Sequence, residues 1–322
     1  MVNTILKEDV RFFSGNSNIP LSQAIVNYLG VSLSPAIVSR FPDGEIQVRC
    51  LESVRGKDVF IIQSTQTPAE NLLELLILID AVKRASARSI TAVVPFFGYA
   101  RQDRKTKSRE PISAKLVSNL ITTAGASRVV AVDLHAAQIQ GFFDIPTDNL
   151  TAVLILGKYF RELNLENPVV VAPDVGAVQR ATDFAKEIPN STQAIFVKKR
   201  LSPYEVDTSR LIGEVEGKTV ILVDDAIHTG NTLINAANEV LRRGAKAVYA
   251  TATHGIFAQD SLKKFEGSPI KEIVVTDTLP VLSRPELISK VKVLSVAPLI
   301  GEAIKRIIMH ESISELFEKK EI

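Results

Sequence analysis

Short runs of apolar, mostly β-branched residues alternate along the chain with longer stretches whose apolar positions recur at helical spacing. Residues 59–62 (Val-Phe-Ile-Ile) read as a buried strand, and residues 69–85 carry apolar side chains three and four apart, as one helix face requires. Residues 90–94 form the next strand, Pro111 opens a helix to about Ala124, and 129–132 form a strand ending at Asp133. The same grammar restarts after about residue 150. A strand at 169–171 precedes a helix from about Gly176, and a strand at 194–197 leads into a polar loop. Residues 220–223 form a strong buried strand, with a helix from about Asn231 behind it. Strands near 247–252, 272–276 and 291–295, and a helix from about Pro298 to Met309, complete the pattern. Uninterrupted apolar strands are buried on both faces, so the alternation predicts an α/β fold: two similar domains with parallel sheets flanked by helices. The domains divide as 1–148 and 149–322, joined near residues 146–151; at roughly 100–200 residues per domain the 322-residue length also gives about two. No short-period repeat marks a solenoid.

Composition adds limits. Hydrophobic residues are 46% of the chain, which fits a globular protein. The net charge of +2, from 38 basic and 36 acidic residues, gives no general electrostatic case for nucleic acid or a membrane. An anion site must therefore come from local clustering. The single cysteine, Cys50, excludes an internal disulfide and a Cys-based zinc cluster. Residues 1–11 are polar and of mixed charge, and the longest apolar stretch, 72–79, contains Glu74. Neither reads as a signal peptide or a membrane span, so a soluble, cytoplasmic protein is expected.

The chemistry is densest after the strongest strand. Residues 220–223 run into Asp224-Asp225-Ala226-Ile227-His228-Thr229-Gly230-Asn231-Thr232 and then a helix. Ligands of open α/β sheets sit at the carboxyl ends of strands, and a helix N-terminus offers unpaired N–H groups to phosphate. Gly230 lets the backbone approach closely, and Thr229 and Thr232 add hydroxyl donors. Carboxylates only accept, so Asp224 and Asp225 suit sugar hydroxyls or a bridging Mg²⁺ rather than the phosphate. The combination reads as a sugar-phosphate cradle; the plainer alternative is a pair of aspartates capping an ordinary helix.

This loop resembles the phosphoribosyl pyrophosphate motif shared by phosphoribosyltransferases and ribose-phosphate pyrophosphokinases. The N-terminal half separates those two, because only the second needs ATP. Three segments there resemble the pyrophosphokinase family: Arg40-Phe41-Pro42-Asp43-Gly44-Glu45, the run Pro95-Phe96-Phe97-Gly98-Tyr99-Ala100-Arg101-Gln102-Asp103-Arg104-Lys105, and Asp133-Leu134-His135-Ala136-Ala137-Gln138-Ile139-Gln140-Gly141-Phe142-Phe143. The resemblance runs from about residue 11 to Phe317. It implies a type I phosphoribosyltransferase-like fold, with ATP-binding motifs in the N-terminal domain and the ribose 5-phosphate loop and a mobile catalytic loop in the C-terminal one. The last helix then packs back on the N-terminal domain.

By this resemblance Phe41, Asp43, Gly44 and Glu45, with Arg101 and Gln102, bind ATP. An aromatic face and two acceptors suit adenine, although Pro42-Asp43-Gly44 also reads as a plain surface turn. Arg101 is suited to bidentate phosphate contact, while the cations from Arg101 to Arg109 also read as a solvated loop. Metal ligands fall at His135 and Asp174, a sparse set that Mg²⁺ tolerates if nucleotide phosphates supply the rest. Zinc fits poorly, with no second His or Cys at ligand spacing. Lys198 and Arg200, which otherwise read as a basic surface turn, take the catalytic loop's places. Arg200, Asp224, Asp225, His228, Thr229, Gly230, Asn231 and Thr232 hold ribose 5-phosphate. Gly217-Lys218-Thr219 is no P-loop end, since Ile212 stands where the motif needs Gly and a strand follows rather than precedes it.

The implied reaction moves the β,γ-pyrophosphoryl group of ATP to the 1-hydroxyl of ribose 5-phosphate, giving phosphoribosyl pyrophosphate and AMP for nucleotide biosynthesis. In the family the Phe41 loop reaches a neighbouring subunit's site, which implies a homo-oligomer, and the best-known class of the family forms hexamers; no nucleic-acid or membrane partner is expected. Two positions depart from the best-known pattern: His228 replaces a third acid, and Asn231 a glycine. The first is expected to alter ribose 5-phosphate affinity modestly and to make it more pH-dependent, since a nearby phosphate favours imidazolium. The competing reading is a catalytically weak or inactive regulatory paralogue of the same fold. Retention of Lys198, Arg200, His135, Asp174, Arg101 and Gln102 speaks against it.

Overall fold

The computed structural model describes residues 8–199, 208–281 and 289–316. The chain forms two compact units. The first takes the N-terminal residues through Thr151, Thr278–Pro280 and the segment from Ser295; the second takes Ala152–Asp277 and Val281–Leu294.

In the first unit the strands are β1 (Val10–Ser14), β2 (Ala36–Arg40), β3 (Ile46–Cys50), β4 (Asp58–Ile62), β5 (Ser89–Val94), β6 (Arg128–Val132) and β7 (Thr147–Leu150). All but β2 and β3 make one parallel sheet in the order β1-β4-β5-β6-β7. The helices are α1 (Ile19–Leu29), α2 (Glu70–Arg84) and α3 (Ser113–Ala124). Val59, Ile61, Ile90, Ala92, Val94, Val129 and Ala131 share a core with Leu75, Leu78, Ile79 and Val82 of α2 and Val117 and Ile121 of α3. The α2 set recurs at i, i+3, i+4 and i+7, which is why this stretch buries one face as a helix. Glu70 in its first turn and Lys83 and Arg84 in its last complement the helix dipole. The alternate strand residues, among them Phe12 and Phe60, stack on the opposite face of the sheet, with ring centroids 5.4 Å apart.

The second unit is built on β8 (Pro168–Ala172), β9 (Thr192–Lys199), β10 (Thr208–Ile212), β11 (Thr219–Ile227), β12 (Ala247–Gly255), β13 (Ile273–Thr276) and β14 (Val291–Leu294). Its helices are α4 (Val153–Glu162), α5 (Val178–Glu187), α6 (Asn231–Arg242) and α7 (Ser261–Glu266). The sheet order is β10-β9-β8-β11-β12-β13-β14. From β8 the chain steps through α5 to β9 on one side, and from β11 through α6 to β12 on the other. The order reverses between β8 and β11, and the crevice above such a reversal is where open parallel sheets bind ligands.

The first unit is completed by α8 (Ala297–Met309), which packs on α1. Gly301 makes the close approach possible: a Cβ there would lie 2.4 Å from the Tyr28 ring. Tyr28 donates to Glu302 Oε2 at 3.4 Å.

Three features depart from the pattern-based expectation. Strand β10 runs antiparallel to β9, and β2 and β3 form a separate antiparallel hairpin. Strand β11 does not stop at Val223 but continues through both aspartates to Ile227, because β12 keeps pairing with it as far as Ile227↔Gly255. No helix among the described residues is long and apolar enough to cross a membrane.

Candidate active site

The reversal in the second unit places two loops side by side. On the β11 side, Val220 to Val223 are buried and anchor the strand, and the acids follow at its carboxyl end. Asp225 is 8% exposed. Its backbone N–H donates to Asp224 Oδ1 at 2.9 Å. Burial, and after it the neighbouring Asp225 charge, push Asp224 up to about 7. Arg180, in the first turn of α5, opposes that rise. Its Nη1 lies 3.9 Å from Asp224 Oδ1 and 3.7 Å from Asp225 Oδ1.

Beyond Ile227 the chain turns through His228 and Thr229 to Gly230, which has φ of 77° and stands at the N-cap of α6. No side-chain hydrogen bond caps that helix, so its first-turn N–H groups remain available to an acceptor. Thr229 is half-buried and Asn231 and Thr232 are exposed, beside those N–H groups. Ala258 N–H donates to the His228 carbonyl at 2.9 Å and braces the turn from behind. On the β8 side, Asp174 is half-buried, and its Oδ1 accepts from Ala177 N–H at 3.2 Å. The structure thus brings Asp224, Asp225, His228, Thr229, Gly230, Asn231 and Thr232 together on one strand end and helix N-terminus. Arg200 lies outside the described residues, and of Lys198 only the backbone, in β9, is described.

The remaining candidates sit on loops of the first unit. Residues 41–45 form the tip of the β2–β3 hairpin and are all exposed. Gly44 N–H donates to the Phe41 carbonyl at 2.9 Å, and Phe41 N–H to the Glu45 carbonyl at 2.8 Å. This closes the tip and leaves the Phe41 ring 45% exposed. The loop after β5 carries Arg101 and Gln102, both exposed. Gln102 ties it to the start of α3: its carbonyl accepts from Ala114 N–H at 3.2 Å and its Oε1 from Ser113 Oγ at 2.6 Å. Asp103 accepts from Gln138. Glu110 Oε2 accepts from Thr106 Oγ1 and N–H, each at 2.8 Å, and from Lys107 N–H at 2.9 Å. These bonds hold its carboxyl below the usual carboxylate range, Thr106 first. His135 is exposed just beyond β6.

Sequence reasoning assigns no role to Arg180 or to Glu110. Helical periodicity does put Arg180 one turn past the β8 loop; nothing local says that it faces acids on another strand. For a divalent cation, Asp174 offers an oxygen and His135 a nitrogen, one on each unit. No group of three or more His, Cys, Asp or Glu among the described residues could hold a metal. Neither residue by itself supplies the oxygens that Mg²⁺ prefers, so a phosphate ligand would have to add them.

Comparison with known proteins finds relatives along nearly the whole chain. Residues 10–125 match the model for the N-terminal domain of ribose phosphate pyrophosphokinase, and residues 193–318 that for a phosphoribosyl synthetase-associated domain. A protein of Fusobacterium nucleatum named ribose-phosphate pyrophosphokinase is 49% identical over 312 residues, 96% of this chain and 98% of its own length. One of the same name from Bacillus cereus is 50% identical over 318 residues, covering 98% of this chain and all of its own. The crystal structure of phosphoribosylpyrophosphate synthetase from Mycobacterium smegmatis superposes with a TM-score of 0.89 at 40% identity, over 94% of this chain and 100% of that one.

Proposed function

The chain belongs to the ribose-phosphate pyrophosphokinase family, and on that footing we propose that it transfers the β,γ-pyrophosphoryl group of ATP to the 1-hydroxyl of ribose 5-phosphate. The products are phosphoribosyl pyrophosphate and AMP. The observation that carries the reading is the strand end at the β8–β11 reversal, where two acids lead directly into an uncapped helix N-terminus.

The 5-phosphate sits on the first-turn N–H groups of α6 with the hydroxyls of Thr229 and Thr232, at the positive end of the helix dipole. Asp224 and Asp225 accept from ribose hydroxyls and orient the sugar. His228 stands between acids and phosphate, able to serve either. In the first unit Arg101 and Gln102 hold ATP, and Phe41, Asp43, Gly44 and Glu45 receive adenine. The exposure of every residue of that hairpin tip supports its serving a neighbouring subunit of a homo-oligomer, for which the family's best-known form is a hexamer. Lys198 and Arg200 offset charge developing at the β-phosphorus. No protein nucleophile is required, since transfer of this type rests on positioning and charge stabilisation. His135 and Asp174, with phosphate oxygens, would hold Mg²⁺, which aligns and partly neutralises the triphosphate.

The test is AMP formation from ATP and ribose 5-phosphate with Mg²⁺, with and without inorganic phosphate. AMP and phosphoribosyl pyrophosphate are expected in equal amounts. Folded protein that binds ATP yet forms no AMP in either condition would move the reading to the inactive paralogue, with His228 the first residue to exchange.

A further inference from the structure

Neighbouring residues on a strand project to opposite faces, so two consecutive aspartates do not ordinarily share a partner. Asp224 and Asp225 do. The Arg180 guanidinium lies within 4 Å of an oxygen of each, at 3.9 and 3.7 Å. Arg180 comes from α5, across the reversal point, and its side chain is 19% exposed. Both distances exceed a hydrogen bond, and Arg180 makes no other ion pair or hydrogen bond among the described residues. Its contact with the acids is thus electrostatic, and among the described residues its N–H fork is otherwise uncommitted. The group it faces needs such a neighbour: two adjacent carboxylates in a crevice repel each other, and a protonated one would donate where a sugar hydroxyl also donates.

We propose that Arg180 is a positioning residue for ribose 5-phosphate, its guanidinium holding the carboxylates of Asp224 and Asp225 side by side as paired acceptors for the sugar hydroxyls. It acts through the acids and does not touch the 5-phosphate, which the α6 N-terminus holds. The proposal rests on the ribose 5-phosphate reading of the same strand end.

Its signature is therefore a loss confined to hydroxyl recognition. Binding of ribose 5-phosphate and of 2-deoxyribose 5-phosphate is measured by calorimetry without ATP, for the natural chain, Arg180→Gln and Arg180→Lys, with melting temperatures alongside. The natural chain is expected to prefer ribose 5-phosphate. Arg180→Gln should weaken ribose 5-phosphate by about tenfold, the scale of one charge-assisted contact, and the deoxy sugar clearly less. Arg180→Lys keeps the charge and should recover part of the loss; it carries the same comparison if the Gln variant does not fold. Equal losses for both sugars would overturn the proposal and assign Arg180 to the phosphate or to the fold. A natural chain that does not distinguish the two sugars would instead remove the hydroxyl-binding role of the acids, and Arg180's role with it.

Discussion

Asp224 changes charge near neutrality because the fold takes its carboxyl out of water and sets it beside Asp225, which together move it up to about 7. The sign of the consequence follows from linkage. An aspartate titrates near 4 in the unfolded chain and near 7 in the folded one. The folded state therefore binds the proton more tightly, and the group's contribution to stability is present below about pH 4 and lost as pH rises through 7. Binding runs the other way, since the ionised carboxylate accepts through both oxygens, whereas protonation turns one of them into a donor. Ionisation of Asp224 should thus favour ribose 5-phosphate binding between pH 6 and 8, and Asp224→Asn should lose that part of the pH dependence. Asp224→Asn removes the charge without changing shape. It should melt higher than the natural chain at pH 8, by a margin that narrows toward pH 5, while losing roughly 10²-fold or more in turnover. Differential scanning at pH 5, 6.5 and 8 tests the first part. A variant less stable than the natural chain at pH 8 would mean that Asp224 is a favourable partner in the unliganded fold.

At the scale of elements, the turn from β11 into α6 depends on one glycine for two separate reasons. Gly230 has φ of 77°, which side chains rarely adopt, and a Cβ there would lie 2.5 Å from Phe265 Cζ. The Phe265 ring is fully buried, so it cannot swing aside. Gly217 separates the two effects, with φ of 69° and open space where its Cβ would be. Gly217→Ala should cost only the backbone strain, about 1 kcal/mol, with ribose 5-phosphate binding intact. Gly230→Ala adds overpacking of about 1–3 kcal/mol and shifts the first turn of α6, so binding should fall as well. Urea unfolding of both, with calorimetry, decides this; equal destabilisation would show that Phe265 yields. The Thr-Gly-Asn-Thr turn was legible in the sequence because glycine and hydroxyl residues crowd between a strand and a helix. The course of β11 was not. Aspartates are poor strand residues, so the local pattern ends at Val223, whereas pairing with β12 carries the strand four residues further. The same limit hid β1, with Arg11 as its second residue, and β10, whose Arg210 and polar start look like loop. Arg180 escaped for a related reason: its helix could be read from spacing, but the strand it faces is set by sheet order.

For the whole molecule, the first unit is discontinuous in sequence, with the chain crossing between units at 151–152, 277–278, 280–281 and 294–295. Residues before 152 therefore do not carry all of their own core. They lack α8, which lies on α1 through Gly301 and Tyr28 and buries Leu299, Ile300, Ala303 and Ile304. They also lack Thr278, whose carbonyl accepts from the buried Ser64 Oγ at 2.9 Å. No local pattern reports this, because an amphipathic helix shows that it has a partner without showing which one. Losing such a helix exposes the apolar face of α1 at about 25 cal/mol per Å², against a total stability of only about 5–15 kcal/mol for a typical domain. A fragment of residues 1–151 should accordingly lack a cooperative unfolding transition and bind a hydrophobic dye. Joining residues 295–322 to it through a flexible linker should restore the transition, and Ile300→Asp in the joined fragment should abolish it again. Cooperative unfolding of 1–151 by itself, with amide protection in α1 equal to that of the full chain, would show that α8 is an addition to a finished domain rather than part of its core. The first unit would then stand on its first 151 residues, and α8 would be free to serve another purpose.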